Sequence, residues 1–353
     1  MLSAALRDAL ITQSAACATL GSPLTARALD LLAQRWQPEG ALATRLAGWQ
    51  GALGPEGASV PLGLAGALHA LVRAGKTPAL AGIYRQAGAA SDTDLSDVLA
   101  AAFRENEAFV LRFIESAPQT NEVRRSAPVI AAAHWLYRCI GLPLVLSELG
   151  ASAGINLLWD SYALSVGGRV LGPADPPLTL SPDWRGHLPD TATHPPVLSR
   201  AGVDLNPLDP VADRARLLAY IWPDQPDRLT RTEAALDEVA RLAPPVTRGD
   251  AVDWLAQRLT PQVPGALHLI FHTVAWQYFP PDRQAWGENL LAQAGARATP
   301  EAPLARLGME VDGVGPGAGL ILDLWSGAGR TAHERIPLGR VDFHGRWIDW
   351  TAP

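Results

Sequence analysis

The sequence predicts an α/β protein: a Rossmann-like, mostly parallel sheet with an antiparallel end, preceded by an α-helical region. Three observations carry this. Residues 1 to about 115 show helical spacing of apolar residues and no alternating strand pattern. From Pro143 onward, apolar runs that read as strands alternate with helical patterns, the signature of a parallel sheet with crossover helices. From Ala305 the chain becomes strand-rich, as an antiparallel finish requires.

The chain has 353 residues, 48% of them hydrophobic, so it can hold one large or two ordinary domains with a substantial core. We place the helical region at 1–118 and the α/β domain at 119–353. Net charge is −6, and of the 29 basic residues Lys76 alone is lysine, with no basic run, so a nucleic-acid partner is not expected. Cys17 and Cys139 are the only cysteines, too few for a disulfide framework, and they fit a reducing cytoplasm. Thr12, Gln13 and Ser14 interrupt the N-terminal apolar pattern, so no signal peptide is expected. No apolar run reaches the length of a membrane span. Oligomeric state is not legible.

Each element rests on its pattern. Leu2, Leu6 and Leu10, then Leu29, Leu32 and Trp36, mark helices, Val60 to Ala74 reads as a buried helix, and Leu99, Phe103, Val110 and Ile114 mark another. Thr120 to Ser126 (TNEVRRS) is polar and donor-rich. It reads either as a helix cap, with Thr120 or Asn121 at the N-cap of a helix over Ala127 to Ile140, or as a segment folded over a ligand. Pro143 to Asp160 (PLVLSELGASAGINLLWD) reads as strand, small-residue turn and helix. A hairpin around Gly167-Gly168 and a Pro-rich loop follow, an insertion over about 162–196. Val197 to Asp204 and Val246 to Asp250 read as strands ending in acids. Helices begin near Val211 and Arg231 and cover Ala251 to Leu259. Ala266 to His272 is a buried strand, and Trp286, Leu290, Leu291 and Ala294 mark a helix. Ala305 to Val311, Gly319 to Trp325 and Ile336 to Phe343 are strands, with His344-Gly345 turning into a last one over Arg346 to Trp350. Arg330, His333, Glu334 and Arg335 read as a solvated turn.

The chemistry centres on Glu148 to Gly154. Gly150 permits a tight turn, while Ala151, Ser152, Ala153 and Gly154 let backbone approach a ligand at the end of a strand, beside an acid that favours a cation. The same residues spell G-x-S-x-G between strand and helix, the nucleophile elbow of a serine hydrolase with Ser152 as nucleophile and His272, His333 or His344 as base. Against that, no strands and no oxyanion loop precede the turn. A dinucleotide site lacks its last glycine, and a turn with no ligand is the fourth alternative. His268 and His272, four apart, lack a third metal ligand, so no metal is expected and both read as core or site-lining residues. Trp276 and Tyr278 read as core or rim aromatics, or as walls of an apolar substrate pocket.

E-L-G-A-S-A-G resembles the first motif of class I methyltransferases that use S-adenosylmethionine, and the resemblance covers about the last two-thirds of the chain. It implies a class I methyltransferase-type sheet and S-adenosylmethionine as cofactor, held by Glu148, Gly150, Ala151, Ser152 and Gly154. It further implies that Asp204 grips the ribose hydroxyls and Asp250 the adenine amine, and that His272 to Tyr278 lines the transfer site. Ser152 replaces the family's middle glycine, and the spacing to Asp204 is about twice the family's. Four longer runs, TNEVRRS, ELGASAGINLLWD, GVDLNPLD and FHTVAWQY, are similar to a bacterial family catalogued as domain of unknown function 2332, over nearly the full length. That resemblance implies that Asn121, Glu122 and Arg125 share one site with the Gly150 turn. The expectation is methyl transfer to a small-molecule substrate, with His272, Glu122 and Tyr278 as catalytic residues and Asn121, Arg125 and Trp276 contacting the substrate. The alternatives are a serine hydrolase and a non-catalytic nucleoside-ligand-binding protein.

Overall fold

The computed structural model describes residues 2–86, 89–119, 121–189, 193–260, 263–327 and 333–352. It divides into two compact units, Met1–Thr120 with Ala212–Glu233, and Asn121–Val211 with Ala234–Pro353.

The first unit is helical: α1 (Ala4–Thr19), α2 (Pro23–Arg35), α3 (Gly40–Ala47), α4 (Val60–Arg73), α5 (Pro78–Arg85), α6 (Asp92–Glu105) and α7 (Glu107–Ile114). It also takes in α9 (Arg214–Ala219) and the start of α10 (Pro226–Leu242), a stretch that the sequence reading leaves in the α/β part. The apolar repeats read from the sequence make its core, where Leu6, Leu10, Leu29, Leu32, Leu99, Phe103 and Val110 are buried together. Ser3 and Ser91 cap α1 and α6 through their side chains.

The second unit begins with a 3-10 turn (Val123–Arg125) running into α8 (Ser126–Ile140). The strands are β1 (Leu144–Leu149), β2 (Ala163–Val166), β3 (Arg169–Leu171), β4 (Thr179–Leu180), β5 (Asp183–Arg185), β6 (Val197–Asp204), β7 (Val246–Arg248), β8 (Leu267–Thr273), β9 (Leu304–Glu310), β10 (Ala318–Trp325), β11 (Glu334–Val341) and β12 (Trp347–Trp350). Helices α11 (Ala251–Arg258) and α12 (Pro281–Gly295) lie between the later strands in the chain. The large sheet runs β5-β12-β11-β10-β9-β8-β1-β6-β7. Strands β7, β6, β1, β8 and β9 are mutually parallel, and β9 to β12 form an antiparallel meander. Numbered in chain order, the parallel strands stand 3-2-1-4-5, so the order reverses at β1, between β6 and β8. This is the Rossmann-like arrangement, and such a reversal opens a crevice at the carboxyl ends of the strands. All six residues of β1 are buried, as a central parallel strand requires.

The expected hairpin forms at Gly167-Gly168, pairing β2 with β3. The loop after it is less irregular than expected. Its Asp183–Arg185 becomes an edge strand parallel to β12, with Trp184 stacked near Trp350. The expected helix after the Gly150 turn is a 3-10 turn, Asn156–Ser161. Only eight residues separate Gly154 from Ala163, too few to repay helix nucleation. Instead Leu157, Leu158 and Trp159 are fully buried side by side.

Candidate functional site

The backbone at the reversal point is shaped by two turns. After β1, Gly150 and Gly154 have φ of 75° and 79°, and Ser152 has φ of 49°. After β8, Val274 has φ of 57°, a left-handed conformation that a β-branched side chain opposes. The two turns touch, since a Cβ on Gly150 would lie 2.6 Å from the Cβ of Ala275. Gly150 is therefore required by protein packing as well as by its φ. Gly154 is crowded in the same way, by Pro244 and Val246 at 3.2 Å.

Each turn is braced by a carboxylate from the next strand. The Ser152 amide donates to Asp204 Oδ2 (2.8 Å), and the Asn206 amide donates to Asp204 Oδ1 (2.7 Å). Glu310, at the end of β9, accepts from the Ala275 and Trp276 amides at Oε1 (2.9 and 3.1 Å) and from the Gln277 amide at Oε2 (3.3 Å). His272 Nδ1 also donates to Glu310 Oε1 (2.7 Å). The tautomer follows from His272's other neighbour. Arg306 Nε can only donate, and it reaches His272 Nε2 at 3.0 Å, so the proton sits on Nδ1. Burial pushes His272 below its ordinary 6.5, and it stacks on Trp276 with ring centroids 5.2 Å apart. Burial also pushes Glu310 upward, but the His272 hydrogen bond and the backbone amides outweigh it and hold the carboxyl below 4.5.

The polar segment before α8 folds onto the first turn. Asn121 Nδ2 donates to Ser152 Oγ (3.0 Å), and Asn121 Oδ1 accepts from the Ala153 amide (3.4 Å). Arg125, buried, donates to the carbonyls of Thr273 (3.1 Å) and Phe343 (2.9 Å), tying this segment to the end of β8. Glu122 is buried and accepts from the Arg124 amide at 3.1 Å. Asn121 is not the expected helix cap: Arg125 precedes α8 without a side-chain capping bond, Glu122 caps the 3-10 turn, and Asn121 is spent on the Ser152 turn. The segment leads into α8, and it lies on the Gly150 turn. Thr120, the other expected cap, lies outside the described residues, as does Arg330.

Beneath the turn is Glu148, 2% exposed. Its Oε2 is buried and accepts no hydrogen bond among the described residues. Burial raises its pKa well above 4.5, the Asp204 charge adds to the rise, and Arg125 opposes it. Among the described residues this is the one acid of the strand ends left without a donor on a buried oxygen.

The other expected site residues stand differently. Asp250 caps α11, accepting from the Val252 (2.8 Å) and Asp253 (3.1 Å) amides, and pairs with Arg283 through the same Oδ1. The Trp276 ring is buried against Gly287 of α12 and under the Arg306 guanidinium at 4.3 Å. Tyr278 is 68% exposed. His268 is bonded to Ser147 Oγ (2.8 Å), away from His272's partners. His333, expected in a solvated turn, contacts Asp323 at 3.0 Å and stacks on Trp325. Glu310 and Arg306 were not singled out from the sequence. The signal was two charges four apart in an otherwise apolar strand, LARLGME, on one face by strand alternation. Among the described residues no helix is long and apolar enough to cross a membrane.

The fold and the site define an α/β protein with a mostly parallel, Rossmann-like sheet and a polar, glycine-turned cluster at the strand reversal. Over residues 7–350 the chain matches the family model described as "Uncharacterized protein conserved in bacteria (DUF2332)", and it belongs to that family. A search of curated proteins finds no match.

Proposed function

We propose that the α/β unit binds S-adenosylmethionine at the β1 turn and supports transfer of its methyl group to a small-molecule acceptor. The observation that carries this reading is Glu148: a buried carboxyl with an unpartnered oxygen, two residues before a left-handed glycine, at the reversal point of a 3-2-1-4-5 parallel sheet. A buried carboxylate is costly alone and stabilised by a cation. A ligand bearing an ammonium supplies that charge.

The residues present fit the cofactor at two points and strain it at one. Glu148 has an oxygen to spare. Asp204 uses one lone pair on each oxygen for turn amides, and each carboxylate oxygen has a second with which to accept a ribose hydroxyl. Asp250 has three donors on Oδ1, so only its other oxygen is open to an adenine amine. When bound, the cofactor supplies an electrophilic methyl on a sulfonium, and the work left to the protein is alignment. Glu148 and Asp204 orient the donor, while Asn121 and Arg125 hold the segment that covers the turn. His272 is not free as a base, because its lone pair accepts from Arg306. Glu122 is the remaining acid for removing a proton from the acceptor.

Titration calorimetry with S-adenosylmethionine and S-adenosylhomocysteine tests the reading. Binding is expected, with proton release visible as a heat that differs between buffers, because a cationic ligand favours ionised Glu148. Glu148→Gln should weaken binding about tenfold or more. No binding to folded protein overturns the proposal. The serine-hydrolase reading has the strained Ser152 φ in its favour. The Ser152 hydroxyl, however, accepts from Asn121, and no histidine is bonded to it among the described residues. Labelling of Ser152 by a fluorophosphonate would reverse the order of the two. Binding without turnover on a broad acceptor panel would support the non-catalytic reading.

A further inference from the structure

A cavity of about 190 Å³ opens over β9, β10 and β11 beside α12, lined among others by Trp276, Glu288, Arg306, Ile321, Asp323 and Arg335. His272 and Glu310 also line it, so it borders the segment that the methyltransferase resemblance implies at the transfer site. Arg306 is its more deeply buried guanidinium, 7% exposed. A guanidinium carries five N–H groups. One goes to His272 and one, from Nη1, to Glu288 at 2.5 Å, which leaves three; Nη2 makes no hydrogen bond among the described residues. Among the described residues Glu288 is bound only through Oε1, and its side chain is 54% exposed. Asp323 is already held by Arg335 and His333. Among the described residues the cavity's deeper open polar groups are therefore the donor Arg306 Nη2 and the acceptor Glu288 Oε2, on neighbouring side chains, while the exposed Arg335, bonded only through Nη1, keeps further donors at the mouth. The Trp276 ring and Ile321 supply apolar wall.

We infer that this cavity binds a small zwitterion, with its carboxylate on Arg306 and its ammonium on Glu288, the charge pattern of an α-amino acid. A simple carboxylate would meet the Glu288 charge without compensation, and a simple amine would meet Arg306. A volume of about 190 Å³ has room for a small amino acid. The carboxylate–guanidinium contact supplies direction, since Arg presents paired N–H donors to a planar carboxylate.

Ligand-observed NMR and calorimetry on the full chain, with the standard α-amino acids, acetate and methylamine, decide it. At least one amino acid should bind saturably, and acetate and methylamine should not. Glu288→Gln and Arg306→Lys should each weaken that binding about tenfold, and Ile321→Phe should block it by filling the cavity. Thermal melts establish folding. Glu288→Gln alters an exposed side chain and keeps the test open if Arg306→Lys fails to fold. The inference is overturned if no amino acid binds the folded protein, if acetate binds as well as any amino acid, or if Glu288→Gln and Ile321→Phe leave binding unchanged.

Discussion

Glu148 and Glu310 stand near the carboxyl ends of β1 and β9, two strands apart, and the protein treats them oppositely. Glu310 receives four donors, three of them backbone amides of the turn after β8, and its pKa falls. Glu148 lies under the turn after β1, is more deeply buried, keeps one oxygen without a donor, and its pKa rises. Both turns carry a left-handed non-glycine residue, Val274 and Ser152. The difference is what each carboxylate is for. Glu310 holds a strained loop in place, so its electrostatic energy is already used in the folded state. Glu148 contributes little to stability as an anion and much to any cation that reaches it.

The largest effect should come from Glu310→Ala. It strips the acceptor from three amides and His272, and should cost on the order of 3 kcal/mol in chemical denaturation. A loss no greater than that of a surface substitution would remove the structural half of the comparison. Next is Gly150→Ala, where a new Cβ meets Ala275 at 2.6 Å on a residue with φ of 75°. About 2 kcal/mol is expected from crowding and left-handed strain together.

The two acids should also show opposite pH dependence. Glu310 titrates below 4.5 when folded, so its contribution is present above 4.5 and lost as pH falls through the folded value. Glu148 titrates above 4.5 when folded, so its neutral form favours folding at low pH and that advantage is lost as pH rises through the folded value. Glu148→Gln should therefore flatten the high-pH side of the stability profile, and Glu310→Gln the acid side. Identical profiles for the two variants would show that the groups are not distinguished as described.

Much of this was legible in the sequence, and the exceptions have local causes. The strands came through because parallel strands buried on both faces read as short apolar runs, as in Leu144 to Leu146 and Leu269 to Phe271. The 3-10 turn over Asn156–Ser161 did not, because apolar spacing does not report how little chain remains before the next strand. Asn121 and Ser152 were expected to share a site and are hydrogen-bonded. Trp276 reads from the sequence as a core or rim aromatic or a pocket wall, and it is buried because Gly287 on α12 makes room for its ring. That space is a property of tertiary contact, which one strand's pattern cannot carry. Glu310 and Arg306 were overlooked for the converse reason. Charges in a strand read as solvent-facing until the neighbouring His272 and the turn amides are known.

The smallest effects separate the two turns most cleanly. Ser152→Ala keeps the left-handed φ of 49° and removes only a hydroxyl that accepts from the half-buried Asn121, so it should cost roughly 0.5–1 kcal/mol. Ser152→Gly relieves strain and should recover about that amount. Val274→Gly should gain more on strain alone, because a β-branched residue at φ of 57° is further from its allowed region, although it gives up the contacts of a half-buried side chain. The functional consequence runs the other way. If the first turn cradles a ligand through its backbone, Ser152→Ala retains binding of S-adenosylmethionine while Glu148→Gln does not. If Ser152 is a nucleophile, the alanine variant loses all esterase activity with no change in its denaturation midpoint beyond the small loss above. Calorimetry and an ester-hydrolysis assay on the same two variants distinguish a turn built to approach a ligand from a turn built to present a hydroxyl.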